Sequence, residues 1–183
     1  KVAVIDTGVD ATHPDLAGRV LPGADLVNDD SDASDDHGHG THCAGTIAAI
    51  ANNGQDVAGV APDARIIPIK VLNAAGQGNN ADIAQGVLEA ANLGAKVINL
   101  SLGGPDNSET LRRAIADVQA RGVIVIAAAG NDGVNTPFYP AANDGVIGVG
   151  AVDKYGSRAS FSNYGDYVDI ADPGVSITST KRG

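Results

Sequence analysis

Asp6 closes a short run of Val, Ala and Ile, His39 stands downstream of it, and Asn131 follows a longer apolar run. A carboxylate, an imidazole and a side-chain amide are parts that acyl transfer from a peptide needs. The imidazole takes the proton of a nucleophile, the carboxylate holds that imidazole in one tautomer, and the amide donates to the oxyanion. A second chemistry is open to the same stretch, because His37, His39 and His42 are close enough in sequence to share a zinc ion. Taken singly, each residue has a plainer use. An aspartate after a buried strand is commonly a turn or cap residue, and a histidine can open a helix.

These residues need elements that bring them together. Residues 1–6 read as a strand buried on both faces, and further strands are expected over 66–72, 97–102, 123–129 and 146–152. Pro68 places the second of these at a bulge or an edge. Residues 40–51 are small and apolar, as in a tightly packed helix. Helices are also expected over 81–92, stopped by Gly94, and over 108–120, stopped by Gly122. Strand and helix in alternation imply an α/β fold with a parallel sheet and helices on both faces. In such a sheet functional groups collect beyond the carboxyl ends of the strands, where Asp6, Ser101 and Asn131 all fall.

With 183 residues, 43% of them hydrophobic, the chain is long enough for one domain with a sizeable core, and no linker or repeat divides residues 1–183. Met and Trp are absent, so Ala, Val, Ile and Leu must fill that core. A net charge of -10 argues against nucleic acid, whose phosphates call for Lys and Arg, and suits a secreted protein or one that holds cations. The single Cys43 excludes an internal disulfide, and no apolar stretch is long enough to span a bilayer.

Four motifs stand in order: Val4-Ile5-Asp6-Thr7-Gly8, His39-Gly40-Thr41-His42-Cys43-Ala44-Gly45, Asn99-Leu100-Ser101-Leu102-Gly103-Gly104 and Ala127-Ala128-Ala129-Gly130-Asn131. Together they resemble the subtilisin-like serine proteases, nearest to the thermitase-like members, over essentially the whole chain. The resemblance implies a three-layer fold around a mostly parallel sheet and a secreted serine endopeptidase. In it His39 is the general base, Asp6 its orienting carboxylate and Asn131 an oxyanion donor. Other families fit less well. Asp-Thr-Gly also marks aspartic proteases, which are nearly all β and need a second such triplet or a dimer. The histidine cluster is similar to that of metallo-β-lactamases, but Thr41 stands where those have an aspartate. No Gly-x-Gly-x-x-Gly or Gly-x-Ser-x-Gly occurs at the required place.

The resemblance also implies a peptide or protein substrate, and a pro-segment of the protein itself as a further partner. Ser101, Leu102 and Gly103 would form one edge of the cleft and Gly76, Gln77 and Gly78 the other. Ala128, Ala129 and Gly130 would wall the main specificity pocket. Phe138 would lie at its base and make it shallow, so that Phe138→Gly favours large aromatic side chains. For structural calcium it implies side chains from Asp15 and Asn53 and carbonyls from Ala51, Gln55 and Val57. Residues 25–36 hold six aspartates, in which Asp25, Asp30 and Asp32, with Ser34, match a second calcium loop or are simply a solvated charge run. Asp169 matches a weak third site. Cys43, expected beneath His39, reads as a buried packing residue within reach of mercurials.

Both ends read as cut. No serine stands in a Gly-Thr-Ser-Met-Ala context, so residues 1–183 alone are expected to be poorly folded and inactive. The alternative in another class is a catalytically inactive module of the same family that binds peptides or partners.

Overall fold

The structure, a computed structural model, describes residues 1–183. Seven strands form one parallel sheet: β1 (Val2–Asp6), β2 (Ala24–Asp25), β3 (Ile66–Lys70), β4 (Val97–Leu100), β5 (Ile124–Ala128), β6 (Ile147–Val152) and β7 (Ile170–Pro173). Their order is β2-β3-β1-β4-β5-β6-β7. Three helices cover it: α1 (His39–Ala48), α2 (Asn80–Asn92) and α3 (Glu109–Ala120).

The alternation of side chains along β1 shows how the layers arise. Ala3 and Ile5 enter the larger core, with Ile67, Ile69, Ile98 and Leu100 from the sheet and Ile83, Val87, Ile115 and Val118 from α2 and α3. Val4 points the other way, into a smaller core with Leu16, Ala44 and Ala48 beneath α1. Burial of each such large aliphatic side chain contributes about 1.5–3 kcal/mol. Both faces of β1 and β3 are therefore buried almost throughout, whereas β4 and β5 alternate buried with partly exposed positions.

The helices begin where side chains can satisfy their free N–H groups. Asn79 accepts from Ala81 and Asp82 to open α2, and Ser108 accepts from Leu111 to open α3. Gly94 and Gly122 follow their ends at φ of 85° and 80°, a conformation that favours glycine.

Pro68 is not at a bulge or an edge: it pairs with Val4 inside the sheet, with β3 flanked on both sides. The N–H groups of Ile66 and Val71 show the reason, since Ile66 donates to Arg19 on the β2 side and Val71 donates to Asp6 on the β1 side. Pro68 shares the parity of Ile66, so its missing N–H faces β2, which pairs only through Ala24 and Asp25. No bond to β1 is lost. β7, which sequence pattern does not single out, is an exposed edge strand along its whole length.

Candidate active site

Asp6 is the last residue of β1 and is completely buried. His39 is the first residue of α1, on the element that packs across the end of β1. The two converge: His39 Nδ1 lies 2.8 Å from Asp6 Oδ1 and 2.9 Å from Oδ2. The Thr7 N–H also donates to Asp6 Oδ1, at 2.7 Å. Nδ1 is thus the protonated nitrogen, which leaves Nε2 with its lone pair and no hydrogen bond to any residue of the chain. The His39 side chain keeps 43% of its surface open to solvent. Its pKa is raised from the ordinary 6.5, first by the hydrogen bond to Asp6, against which burial works, and then by the charges of Asp6 and Asp35.

Asp35 is the residue that sequence reasoning missed here. It is buried, and its Oδ1 accepts from Thr7 Oγ1 at 2.8 Å, Gly38 N at 2.8 Å and His37 N at 3.0 Å. Its Oδ2 accepts from Thr41 N at 3.0 Å and Thr41 Oγ1 at 2.6 Å. The helix has no side-chain cap at Gly38 itself, so Asp35 satisfies its first turn from three residues upstream. Burial alone would raise the Asp35 pKa, but the hydrogen bonds from Thr41, Gly38 and His37 outweigh it and hold the carboxyl below its usual range. Through Thr7 and Thr41 one carboxylate ties the end of β1 to the start of α1. Lys70 makes a parallel tie: almost wholly buried, it donates to the Thr7 carbonyl at 2.8 Å, the Leu72 carbonyl at 3.0 Å and Asp36 Oδ1 at 2.6 Å.

The three histidines do not converge on a metal. His37 and His39 meet edge to face at 6.4 Å between ring centres, His39 is committed to Asp6, and His42 Nε2 lies 3.2 Å from the Ile177 carbonyl. The only three side chains of metal-ligating type with their donor atoms within 4.8 Å of one another are Asp6, His39 and Cys43. The Cys43 thiol is pushed up to about 12, by burial first and then by the Asp6 charge, so it is protonated and inert toward nucleophilic chemistry at neutral pH.

His39 stands at one wall of a cleft of about 890 Å³. Gly76, Gln77 and Gly78 line it on one side and Ser101, Leu102 and Gly103 on the other. The N–H groups of Ser101, Leu102 and Gly103 make no hydrogen bond within the chain, nor does that of Gly78, so the walls present free backbone donors. Gly78 also has to be glycine, because a Cβ there would stand 2.4 Å from the Val71 carbonyl oxygen. Ala128, Ala129, Gly130 and Phe138 do not line this cleft. They lie beside it, where a Cβ on Gly103 or Gly130 would come within 2.5 Å and 3.0 Å of the Phe138 ring. Ala129 is buried and Ala128 half-buried. Asn131, on the loop after β5, is exposed and its side-chain amide has no partner in the chain.

The residues expected around calcium divide into two cases. Asp15 is fully buried and carries no ion pair; its carboxylate accepts only from Asn53 Nδ2 at 2.6 Å and Val57 N at 3.2 Å. The carbonyls of Ala51, Gln55 and Val57 accept no hydrogen bond. A buried carboxylate without a cation beside free carbonyls is a donor set that fits a hard cation. Asp25, Asp30 and Asp32 do not gather in that way. Asp25 accepts from Val27 and Asn28, Asp30 from the Asp32 N–H, and Asp32 from Ser34. Asp169 accepts from Gly148 N at 2.8 Å and so fastens a loop to β6.

A buried carboxylate and an imidazole thus meet at the carboxyl rim of a parallel sheet in an α/β fold, beside an open backbone-lined cleft. The chain belongs to the subtilase family (Peptidase_S8), whose family model matches residues 1–183. It is 51% identical over its whole length to a thermophilic serine proteinase of Bacillus sp. (strain AK1), of which it covers 46%. It is 47% identical over 98% of its length to thermitase of Thermoactinomyces vulgaris, covering 64% of that protein. Subtilisin Savinase of Lederbergia lenta is 49% identical over the full chain and covered to 66%. Among solved structures, a cold-adapted subtilisin-like serine proteinase superposes with a TM-score of 0.91 at 38% identity, over 98% of this chain and 64% of that one. The chain thus spans about half to two thirds of the relatives it matches. No helix is long and apolar enough to cross a membrane.

Proposed function

We propose that these residues supply the base, the orienting carboxylate and the substrate cleft of a serine endopeptidase that acts outside the cell. The observation that carries this is the Asp6–His39 pair at the wall of a cleft whose sides offer unpaired backbone N–H groups. Asp6 fixes the proton on Nδ1, so that Nε2 can take the proton of a serine hydroxyl as it attacks a peptide carbonyl. His39, once protonated, is stabilised by Asp6 and returns the proton to the leaving amine. The free N–H groups of Ser101–Gly103 and Gly78 would pair with an extended peptide as added strands do, which asks little of its side chains. Asn131 donates to the oxyanion. The mechanism needs a serine hydroxyl at Nε2, and no hydroxyl of residues 1–183 hydrogen-bonds there. Phe138, packed against Gly103 and Gly130, makes the adjoining side-chain pocket shallow. Calcium, held by Asp15, Asn53 and the carbonyls of Ala51, Gln55 and Val57, would supply a positive charge that neutralises the buried Asp15.

The test is hydrolysis of a denatured protein by the gene product that carries these residues, before and after His39→Ala. Hydrolysis is expected to disappear with the imidazole; undiminished hydrolysis would sink the reading.

A further inference from the structure

The exposed Asn131 side chain makes no hydrogen bond of its own within the chain, yet an oxyanion donor has to be fixed in place before the charge develops. The loop that carries it is fixed from one side by a single segment, residues 161–167. Asn163 is at the centre of that contact and only 2% exposed. Its Oδ1 accepts from the Asp132 N–H at 2.8 Å and the Val134 N–H at 3.3 Å, and its own N–H donates to the Gly130 carbonyl at 3.0 Å. Asn131 is therefore bracketed: the peptide group before it and the N–H after it are both held by one side chain and its backbone. Around this lie Gly133 N to Phe161 O at 2.7 Å, Tyr164 N to Val134 O at 3.1 Å, and Tyr167 Oη to Ala129 O at 3.0 Å.

The fit is close enough to dictate its neighbour. A Cβ on Gly130 would sit 2.3 Å from Asn163 Nδ2, and Gly130 has a φ of 102°, so both space and backbone demand glycine there. A generic turn would need neither a buried amide nor this close approach.

We propose that Asn163 is a positioning residue for catalysis, acting through Asn131 by holding the loop at residues 130–134 in the geometry that aims its amide at the oxyanion. The inference rests on the peptidase reading above and on Asn131 as donor. Asn163 touches neither substrate nor nucleophile, so its effect belongs in kcat and vanishes when Asn131 has no amide to aim.

The experiment is a double-variant cycle in the peptidase that carries these residues, with kcat and KM measured on one peptide substrate. Asn131→Ala is expected to lower kcat about 10²–10³-fold, a magnitude measured on a subtilisin and carried over from that relative. Asn163→Ala is expected to lower kcat roughly tenfold or more, as a misplaced catalytic group does, with KM changed less than about twofold. The double variant is expected to be no slower than Asn131→Ala alone within about twofold. If the two losses multiply, Asn163 acts on stability or elsewhere and the proposal falls, while Asn131 keeps its role. If Asn131→Ala is harmless, the oxyanion reading itself fails and takes the proposal with it. Should Asn163→Ala not fold, Asn163→Asp keeps an acceptor for the two N–H groups. It is then expected to retain kcat within about threefold, and a loss as deep as that of Asn131→Ala overturns the proposal.

Discussion

Asp6 accepts a hydrogen bond from His39, 33 residues on, and Asp35 accepts one from Thr7, 28 residues back. Asp30 and Asp32, in the loop that leads to them, accept theirs from two residues on. The first pair is buried and joins a strand end to a helix start; the second is exposed and bends its own backbone. The side chain is the same in all four, so what separates a site from a turn is the reach of its partners. A carboxylate whose donors come from another element is held by the whole fold, and losing it damages two elements at once. One whose donors are neighbours could be exchanged for any turn-forming residue.

The sharpest way to break that contrast is to remove a carboxylate from each group and compare. Asp6→Ala leaves His39 without its orienting partner, and kcat is expected to fall about 10⁴-fold with KM little changed, a size of loss measured on a subtilisin and carried over from that relative. Steady-state kinetics on one peptide substrate would check it. An Asp6→Ala enzyme within tenfold of the parent would mean that the pair is structural.

Asp35→Ala comes next. It leaves the N–H groups of His37, Gly38 and Thr41 and two hydroxyls short of an acceptor in a place with little water. A loss of about 3 kcal/mol in unfolding free energy is expected, read from denaturant midpoints. A change below about 0.5 kcal/mol would place Asp35 with the turn-forming aspartates after all.

The contrast also explains what the sequence could and could not disclose. Asp6 and His39 were legible because each sits inside a short motif, and the motif gives away the chemistry without the geometry. The parallel sheet was legible because burial on both faces leaves unbroken runs such as Val2 to Ile5. Asp35 was not legible: it stands in a run of aspartates that reads as solvated charge, and only the folded distance to Thr7 sets it apart. Asn163 was hidden for the same reason, since nothing in Ser162-Asn163-Tyr164 points back to a loop some thirty residues earlier. Pro68 misled because its cost depends on which neighbour the missing N–H would face, and alternation along β3 turns it toward the short strand. The acidic loop left calcium and plain solvation open; within it Asp30 and Asp32 accept from backbone N–H groups two residues on, while Asp35 and Asp36 reach Thr7, Thr41 and Lys70.

A smaller effect concerns pH. The groups facing His39 are Asp6, Asp35, the protonated Cys43 and the ring of His37. Since the pKa of His39 is raised and the base must be neutral, activity is expected to fall as pH drops through a value above 6.5. Stability runs the other way. A group whose pKa is raised by folding contributes fully below its unfolded value, and that contribution is lost as pH rises through the folded one. The stability difference between the parent and His39→Gln is therefore expected to be larger at about pH 5.5 than at about pH 9. Asp35→Asn removes one negative charge and should move the acid limb of kcat/KM to lower pH; an unmoved limb would confine Asp35 to holding the backbone.

The smallest effect is expected in the loop itself, and it tests whether the loop is anything more than a turn. Asp32 accepts only from Ser34, and is exposed. Asp32→Ala should change unfolding free energy by no more than about 0.5 kcal/mol. If calcium binds through Asp15, chelation should lower the Tm of the parent and of Asp32→Ala alike, while Asp15→Ala should lose that dependence because its buried carboxylate is gone. If the chelator shift instead disappears with Asp32→Ala, the loop binds the cation. The rule that neighbour-bonded aspartates are exchangeable would then fail at the place where it is most easily checked.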